Sequence, residues 1–223
     1  EHFMLKEIME QPRAIKSAIE PRIKKGYISF EDSNIPDNLL EKVNRIYITA
    51  CGSAYHAACT GKYMIEELAR IPVEVDLASE FRYRRPIIDS STLVIVISQS
   101  GETADTIAAL KEAKENGAPV LAIVNVVGSA ISKLADYVIY TWAGPEIAVA
   151  TTKGYTTQVT VLCLLSVYFA QKNKKISDET ALKLTNELQK IPQLAQRAID
   201  LNPQIPYLAK KYHNERSMFF IGR

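Results

Sequence analysis

Ser98, Gln99, Ser100 and Thr103 bring three hydroxyls and a carboxamide together within the stretch ISQSGETADTIAAL, residues 97–110. Each can donate a hydrogen bond, and a phosphate monoester carries three acceptor oxygens that such donors could serve. The residues before them, TLVIVIS, form the β-branched and aliphatic run of a strand buried on both faces. The residues after them read as a helix. Ile107 and Leu110 share a face, Lys111 and Lys114 suit the C-terminal end, and Gly117 is a stop. The hydroxyls therefore stand beside the free N–H groups of a helix start, where anions are readily accepted. The competing reading is that Ser100 caps the helix while its neighbours line the turn, although a cap needs only one hydroxyl. Glu102 and Asp105 would repel an anion unless both point away.

Two other strand ends could meet this one. ITACGSAYHA is a strand, a glycine turn and a helix, which is also how a dinucleotide-binding unit begins, and Asp76 and Glu80 lie suitably downstream. That unit needs G-x-G-x-x-G, and here only Gly52 is present, so a compact phosphate suits the turn better. Ser53 reads either as a phosphate donor or as a helix N-cap. In AGPEIAVATTKGYTTQ, Gly144 and Pro145 mark a turn and Thr151 or Thr152 could cap the next helix. Lys153 reads as a first-turn lysine with a solvated ammonium rather than as a catalytic amine. His56 reads as a packed or partly exposed helix residue, and no His, Cys or carboxylate spacing fits a metal.

The elements that must position these turns alternate regularly. Residues 2–25 read as helical, divided by Pro12 and Pro21, and a short helix covers 39–43. Strands RIYITA, PVEVDLA, TLVIVIS, PVLAIVNV and DYVIYTW then alternate with helices, and three further helical segments cover 152–170, 178–190 and 194–212. This is an α/β pattern: a five-stranded parallel sheet with helices on both faces. In such sheets a ligand sits at the carboxyl ends of the strands, near the switch point in strand order.

Composition narrows the partners. A net charge of +2 over 223 residues gives no reason to propose nucleic acid. The one basic cluster, Arg82, Arg84 and Arg85, reads as a solvated surface. Cys51, Cys59 and Cys163 lack C-x-x-C spacing and read as reduced, mostly buried thiols of a cytoplasmic protein. The longest apolar run, VTVLCLLSVYFA, is about half a membrane span, so no membrane is expected. The opening EHFMLKEIMEQP lacks an initiator methionine, and the closing SMFFIGR reads as a strand entering a glycine turn. Both ends are those expected of a fragment of a longer protein.

CGSAYHA, ASEFRYR, SQSGETADT and GPEIAVATTKGYTTQ, in this order and spacing, resemble the isomerase part of the glucosamine-6-phosphate synthase family, the isomerizing glutamine–fructose-6-phosphate aminotransferases. SQSGE alone would indicate only a sugar-isomerase (SIS) domain, and EIAVATTK with the opening helix narrows the resemblance. It implies a three-layer α/β/α, flavodoxin-like SIS domain over 37–172, preceded by a helical linker over 1–36. Residues 173–223 would hold C-terminal helices and the start of a truncated second SIS domain. It further implies a homodimer, with the stripe from Val159 to Ala170 either contributing or simply covering the sheet. The ligand implied is fructose 6-phosphate or glucose 6-phosphate. Ser98, Gln99, Ser100 and Thr103 would hold the phosphate with Ser53, while Val149 and Thr151 would line the sugar. Ala54 stands where the family commonly has a second hydroxyl, and Thr151 where it often has serine. The family's glutaminase nucleophile would lie before Glu1, and its Schiff-base lysine, proton-moving glutamate and ring-opening histidine beyond Arg223. No catalytic residue and no cofactor is therefore expected within these residues. A non-catalytic regulatory SIS module sensing a phosphosugar is the rival reading.

Overall fold

The computed structural model describes residues 2–36, 38–219 and 221. Helices α1 (Phe3–Met9) and α2 (Gln11–Ile19) lead into a hairpin of β1 (Ile23–Lys24) and β2 (Tyr27–Ile28), followed by the single turn α3 (Leu39–Lys42). The alternating region is β3 (Arg45–Ala50), α4 (Ser53–Ala69), β4 (Val73–Leu77), α5 (Ala78–Phe81), β5 (Thr92–Ser98), α6 (Ala104–Glu115), β6 (Val120–Val124), α7 (Ala130–Leu134) and β7 (Tyr137–Tyr140). Helices α8 (Lys153–Lys172), α9 (Asp178–Leu188), α10 (Ile191–Asp200) and α11 (Ile205–Tyr212) complete the chain.

The five central strands form one parallel sheet in the order β4-β3-β5-β6-β7, the flavodoxin-like arrangement expected. Alternation along each strand divides the core between two layers. Ile46, Ile48, Ile95, Ile97 and Ile123 face α4 and α8, whereas Val94, Val96, Ala122 and Val124 face α6 and its neighbours. Because α8 is apolar on most sides, it is buried on most sides. Val161, Leu162, Leu164, Leu165 and Phe169 are fully buried within the chain, so most of the Val159–Ala170 stripe covers the sheet. Helix α4 approaches it closely at Gly61, where a Cβ would lie 2.9 Å from a Leu162 methyl.

Three local expectations need correction. The N-terminal helical segment ends at a one-turn 3-10 stretch, and the chain then reverses through Lys25 and Gly26, both at positive φ. Two such residues make the tight hairpin turn, which Lys-Gly signals less clearly than Asn-Gly. The segment 194–212 is two helices rather than one, separated by a 3-10 turn at Asn202–Gln204 where Pro203 has no N–H to continue a helix. Ser217–Phe219 join no strand, and the rest of SMFFIGR includes Phe220, Gly222 and Arg223, outside the described residues.

Arg22 fastens the N-terminal segment to the sheet. It is fully buried, donating to the Ala18 carbonyl and, across the fold, to the Tyr140 carbonyl at the end of β7, both at 2.6 Å. The guanidinium also lies 5.6 Å from the Phe30 ring centroid. Its burial pulls its pKa below the ordinary guanidinium value. Arg22→Ala removes both donors and opens a cavity, so it should destabilise the chain by about 2–5 kcal/mol in a urea titration. A midpoint equal to that of the wild type would mean the N-terminal segment contributes nothing to the fold.

Candidate functional site

The chain reverses its direction of travel across the sheet between β3 and β5. Helix α4 carries it from β3 to β4 at one edge, and the next crossover returns past β3 to β5. Ala50 pairs with Ile97, so the turns following these two strands lie side by side over the carboxyl edge. That crevice is where an open α/β sheet receives its ligand.

The turn after β5 is held by its own hydroxyls. Ser98 is 3% exposed, and its Oγ accepts the Gly101 N–H at 3.0 Å and lies 3.0 Å from Thr103 Oγ1. Ser98 can donate to Thr103, leaving the Thr103 proton for a ligand. Ser100 Oγ accepts the Glu102 N–H at 3.2 Å, so Ser100 stabilises the turn instead of capping the helix. The N-cap of α6 is Thr103, and its side chain makes no capping bond. The first N–H groups of α6 thus retain their capacity for an anion. Gly101 has φ +70°, and a Cβ there would collide with the Ser129 side chain. The two acidic residues are engaged elsewhere: Glu102 accepts the Ala130 N–H at 2.8 Å, and Asp105 pairs with Arg82 at 2.8 Å. That pairing holds the Arg82 proton more tightly than usual. Arg84 pairs with Asp76 at 2.6 Å, so two arginines of the basic cluster hold carboxylates, while Arg84 and Arg85 stay exposed as a solvated surface would.

At the turn after β3, Gly52 is the N-cap of α4 at φ +57° and Ser53 is the first helical residue, exposed and making no capping bond. The cap reading of Ser53 therefore does not hold. His56 is exposed on the same helix. The three free thiols are partly buried rather than mostly buried, and burial raises the pKa of Cys163.

The loop between β7 and α8 is pinned at three places. Asn125, at the end of β6, accepts from the Thr141 hydroxyl and the Ala143 N–H and donates to the Gly144 carbonyl, at 2.8–3.0 Å. Glu146 turns back onto the start of α8. One of its oxygens accepts the Thr152 and Gly154 N–H groups at 2.8 and 3.0 Å, and the other accepts the Thr151 hydroxyl at 2.9 Å. A Cβ at Gly154 would collide with that carboxylate, so glycine is required. The third pin is Glu7 of α1, which accepts the Ile147 and Ala148 N–H groups at 2.6 and 3.2 Å. Val149 stands fully exposed at the tip.

Lys153 corrects the expectation most sharply. It is 2% exposed, and its ammonium meets Glu10 at 2.6 Å rather than water. The hydrogen bond from Lys153, together with its charge, holds the Glu10 carboxyl below the ordinary carboxylate range. Glu7, Glu10, Asn125 and Glu146 all escaped the sequence reading. Only Glu146, just past a Gly-Pro turn and close to a helix start, carried a local signal.

Comparison with known proteins agrees with this geometry. The chain is 55% identical over 224 residues to a Clostridium tetani glutamine–fructose-6-phosphate aminotransferase (isomerizing), and 41% identical over 222 residues to one from Thermus thermophilus. It is matched over its whole length and spans only 37% and 36% of those relatives. Its fold superposes on the C-terminal domain of glucosamine-fructose-6-phosphate aminotransferase from Francisella tularensis with a TM-score of 0.95 and 37% identity, covering 100% of this chain and 63% of that one. A putative phosphosugar isomerase from Clostridium difficile shares the fold at TM-score 0.77 and 22% identity, over 94% of this chain and 57% of that one. A SIS domain family model matches residues 39–168, more than half of the sequence and all of the sheet. The chain belongs to the SIS domain family.

Proposed function

We propose that this chain is the sugar-phosphate-binding SIS unit of an isomerizing glutamine–fructose-6-phosphate aminotransferase, and that it binds fructose 6-phosphate or glucose 6-phosphate. The observation carrying this reading is the α6 start at the switch point, with no side-chain cap and both nearby carboxylates engaged elsewhere. Gln99, Ser100 and Thr103 donate to the phosphate with Ser53 opposite, while Ser98, expected from the sequence to hold the phosphate too, is buried against Gly101 and Thr103 and braces the turn beneath them. Val149 and Thr151 border the sugar. Because Thr151 gives its proton to Glu146, its oxygen faces the sugar as an acceptor. Whole-length identity to aminotransferases favours this reading over a regulatory phosphosugar sensor.

The same reading assigns residues 1–36 to an N-terminal segment, 37–172 to the SIS unit and 173–223 to C-terminal helices leading into a second such unit. It also takes the protein to be a cytoplasmic homodimer that engages neither nucleic acid nor membrane. Among the described residues no helix is long and apolar enough to cross a membrane. Sedimentation velocity over a range of concentrations should show dimer formation. A monomer throughout would place the dimer contacts outside residues 1–223.

Hydrogen bonds to a charged group contribute about 1.5–3 kcal/mol each. Ser100→Ala should therefore weaken fructose 6-phosphate binding by about tenfold or more, while loss of its exposed bond from the Glu102 N–H should cost the fold no more than about 1 kcal/mol. Titration calorimetry decides it, and unchanged affinity would move the phosphate elsewhere.

Binding without turnover is expected of residues 1–223 alone. Imine formation at the ketose carbonyl needs a free amine, and the Lys153 ammonium is buried against Glu10. Incubation with fructose 6-phosphate and ammonia should yield neither glucosamine 6-phosphate nor glucose 6-phosphate. Turnover abolished by Lys153→Ala would place the chemistry in this chain after all.

A further inference from the structure

The loop bordering the proposed sugar site has its two ends held from within the family-matched region and its middle held from outside it. Asn125 fixes residues 141–144 and Glu146 fixes 151–154, both from within residues 39–168. The Ile147 and Ala148 N–H groups go instead to Glu7, on the first helix of the chain. Two more bonds follow along the same N-terminal helices: Glu10 to the buried Lys153 ammonium at 2.6 Å, and Gln11 Oε1 to the Thr156 hydroxyl at 2.5 Å.

Glu7 is an expensive residue for that position if its task is only to fill space. It is 3% exposed, and its second oxygen, Oε2, is buried without a hydrogen-bond partner among the described residues. Burying a carboxylate with one oxygen unmatched destabilises a fold, and an apolar side chain of similar volume would pack there at less cost. What an apolar side chain could not do is accept the two loop N–H groups immediately before Val149.

We propose that Glu7 is a positioning residue for the sugar-facing loop, and that with Glu10 and Gln11 it makes the N-terminal helices a working part of the site rather than a linker. This rests on the sugar-phosphate reading above. The carboxylate holds Ile147 and Ala148 so that Val149 and Thr151 are already in place when the sugar arrives. Without it the loop samples other conformations, and the apparent dissociation constant rises by the inverse of the fraction that remains competent. The phosphate turn at residues 98–103 makes none of these bonds, so its own affinity is untouched. Displacement of α1 by anything bound to it would release the loop in the same way.

The test compares Glu7→Met, which keeps the volume and removes the acceptor, with Glu7→Gln, whose amide oxygen can still accept. Fructose 6-phosphate and inorganic phosphate serve as the two probes. Glu7→Met should weaken fructose 6-phosphate by about tenfold, the result of a loop competent for roughly a tenth of the time. Its affinity for inorganic phosphate should match wild type, and amide hydrogen exchange should quicken at Ile147 and Ala148. Glu7→Gln should recover most of the affinity. If Glu7→Met binds fructose 6-phosphate as wild type does, or loses both probes in equal proportion, Glu7 does not position the loop. If the wild-type chain itself binds fructose 6-phosphate no better than inorganic phosphate, the functional reading fails first and the inference falls with it. Should Glu7→Met fail to fold, Glu7→Gln alone decides: slow exchange at both amides with retained affinity supports the role, and fast exchange with unchanged affinity overturns it.

Discussion

A helix that begins above the carboxyl edge of a parallel sheet starts with N–H groups that have no partner inside the helix. Three such helices, α4, α6 and α8, follow strands of this sheet, and each start is treated differently. Helix α8 is closed by the Glu146 carboxylate, which sits where an anion would otherwise sit and leaves no room for a side chain at Gly154. Helix α6 is left open because the Thr103 hydroxyl turns to Ser98 instead of back to its own helix. Helix α4 starts at Gly52 with no side-chain cap. The two open starts follow β3 and β5, the strands that flank the switch point, and the closed one follows β7 at the edge of the sheet. One embedded carboxylate thus closes the start of α8 and leaves the starts of α4 and α6 as the two without a side-chain cap.

The depth of α8 extends this constraint to the N-terminal segment. A helix buried on most sides must also bury its first turn, and here that turn carries Lys153. An ammonium in that position needs a partner, and Glu10 supplies one. The same helices bring Glu7 to the loop, and Arg22, just beyond them, reaches the last strand. The N-terminal segment is therefore bonded both to the sheet and to the site, although it lies outside the residues matched by the family. Helix α1 holds the loop between β7 and α8 through two hydrogen bonds that involve no residue of the sheet.

Much of this was legible in the sequence. The five strands and the helices between them follow from local hydrophobic periodicity, and β3 and β5 span the stretches RIYITA and TLVIVIS read as strands. The small, hydroxyl-rich turn after β5 stood out because its composition serves no purpose in a strand or in a helix interior. Local chemistry of this kind is written in consecutive residues, so consecutive residues reveal it.

Long-range pairing is not written that way. Nothing in HFMLKEIMEQP says that Glu7 will accept N–H groups 140 and 141 residues away, or that Glu10 will meet Lys153 across 143. Taken alone, Lys153 has the features of a solvated first-turn lysine, and only the packing of α2 over the start of α8 buries its ammonium against the half-buried Glu10. Arg22 looked like part of a helix, and its carbonyl partner on β7 lies 118 residues on. The sheet, its helices and the hydroxyl-rich turn after β5 can be read from the chain because each depends on the order of neighbouring residues. The burial of Lys153 and the pinning of the loop between β7 and α8 emerge only on folding, because each depends on a partner distant along the chain.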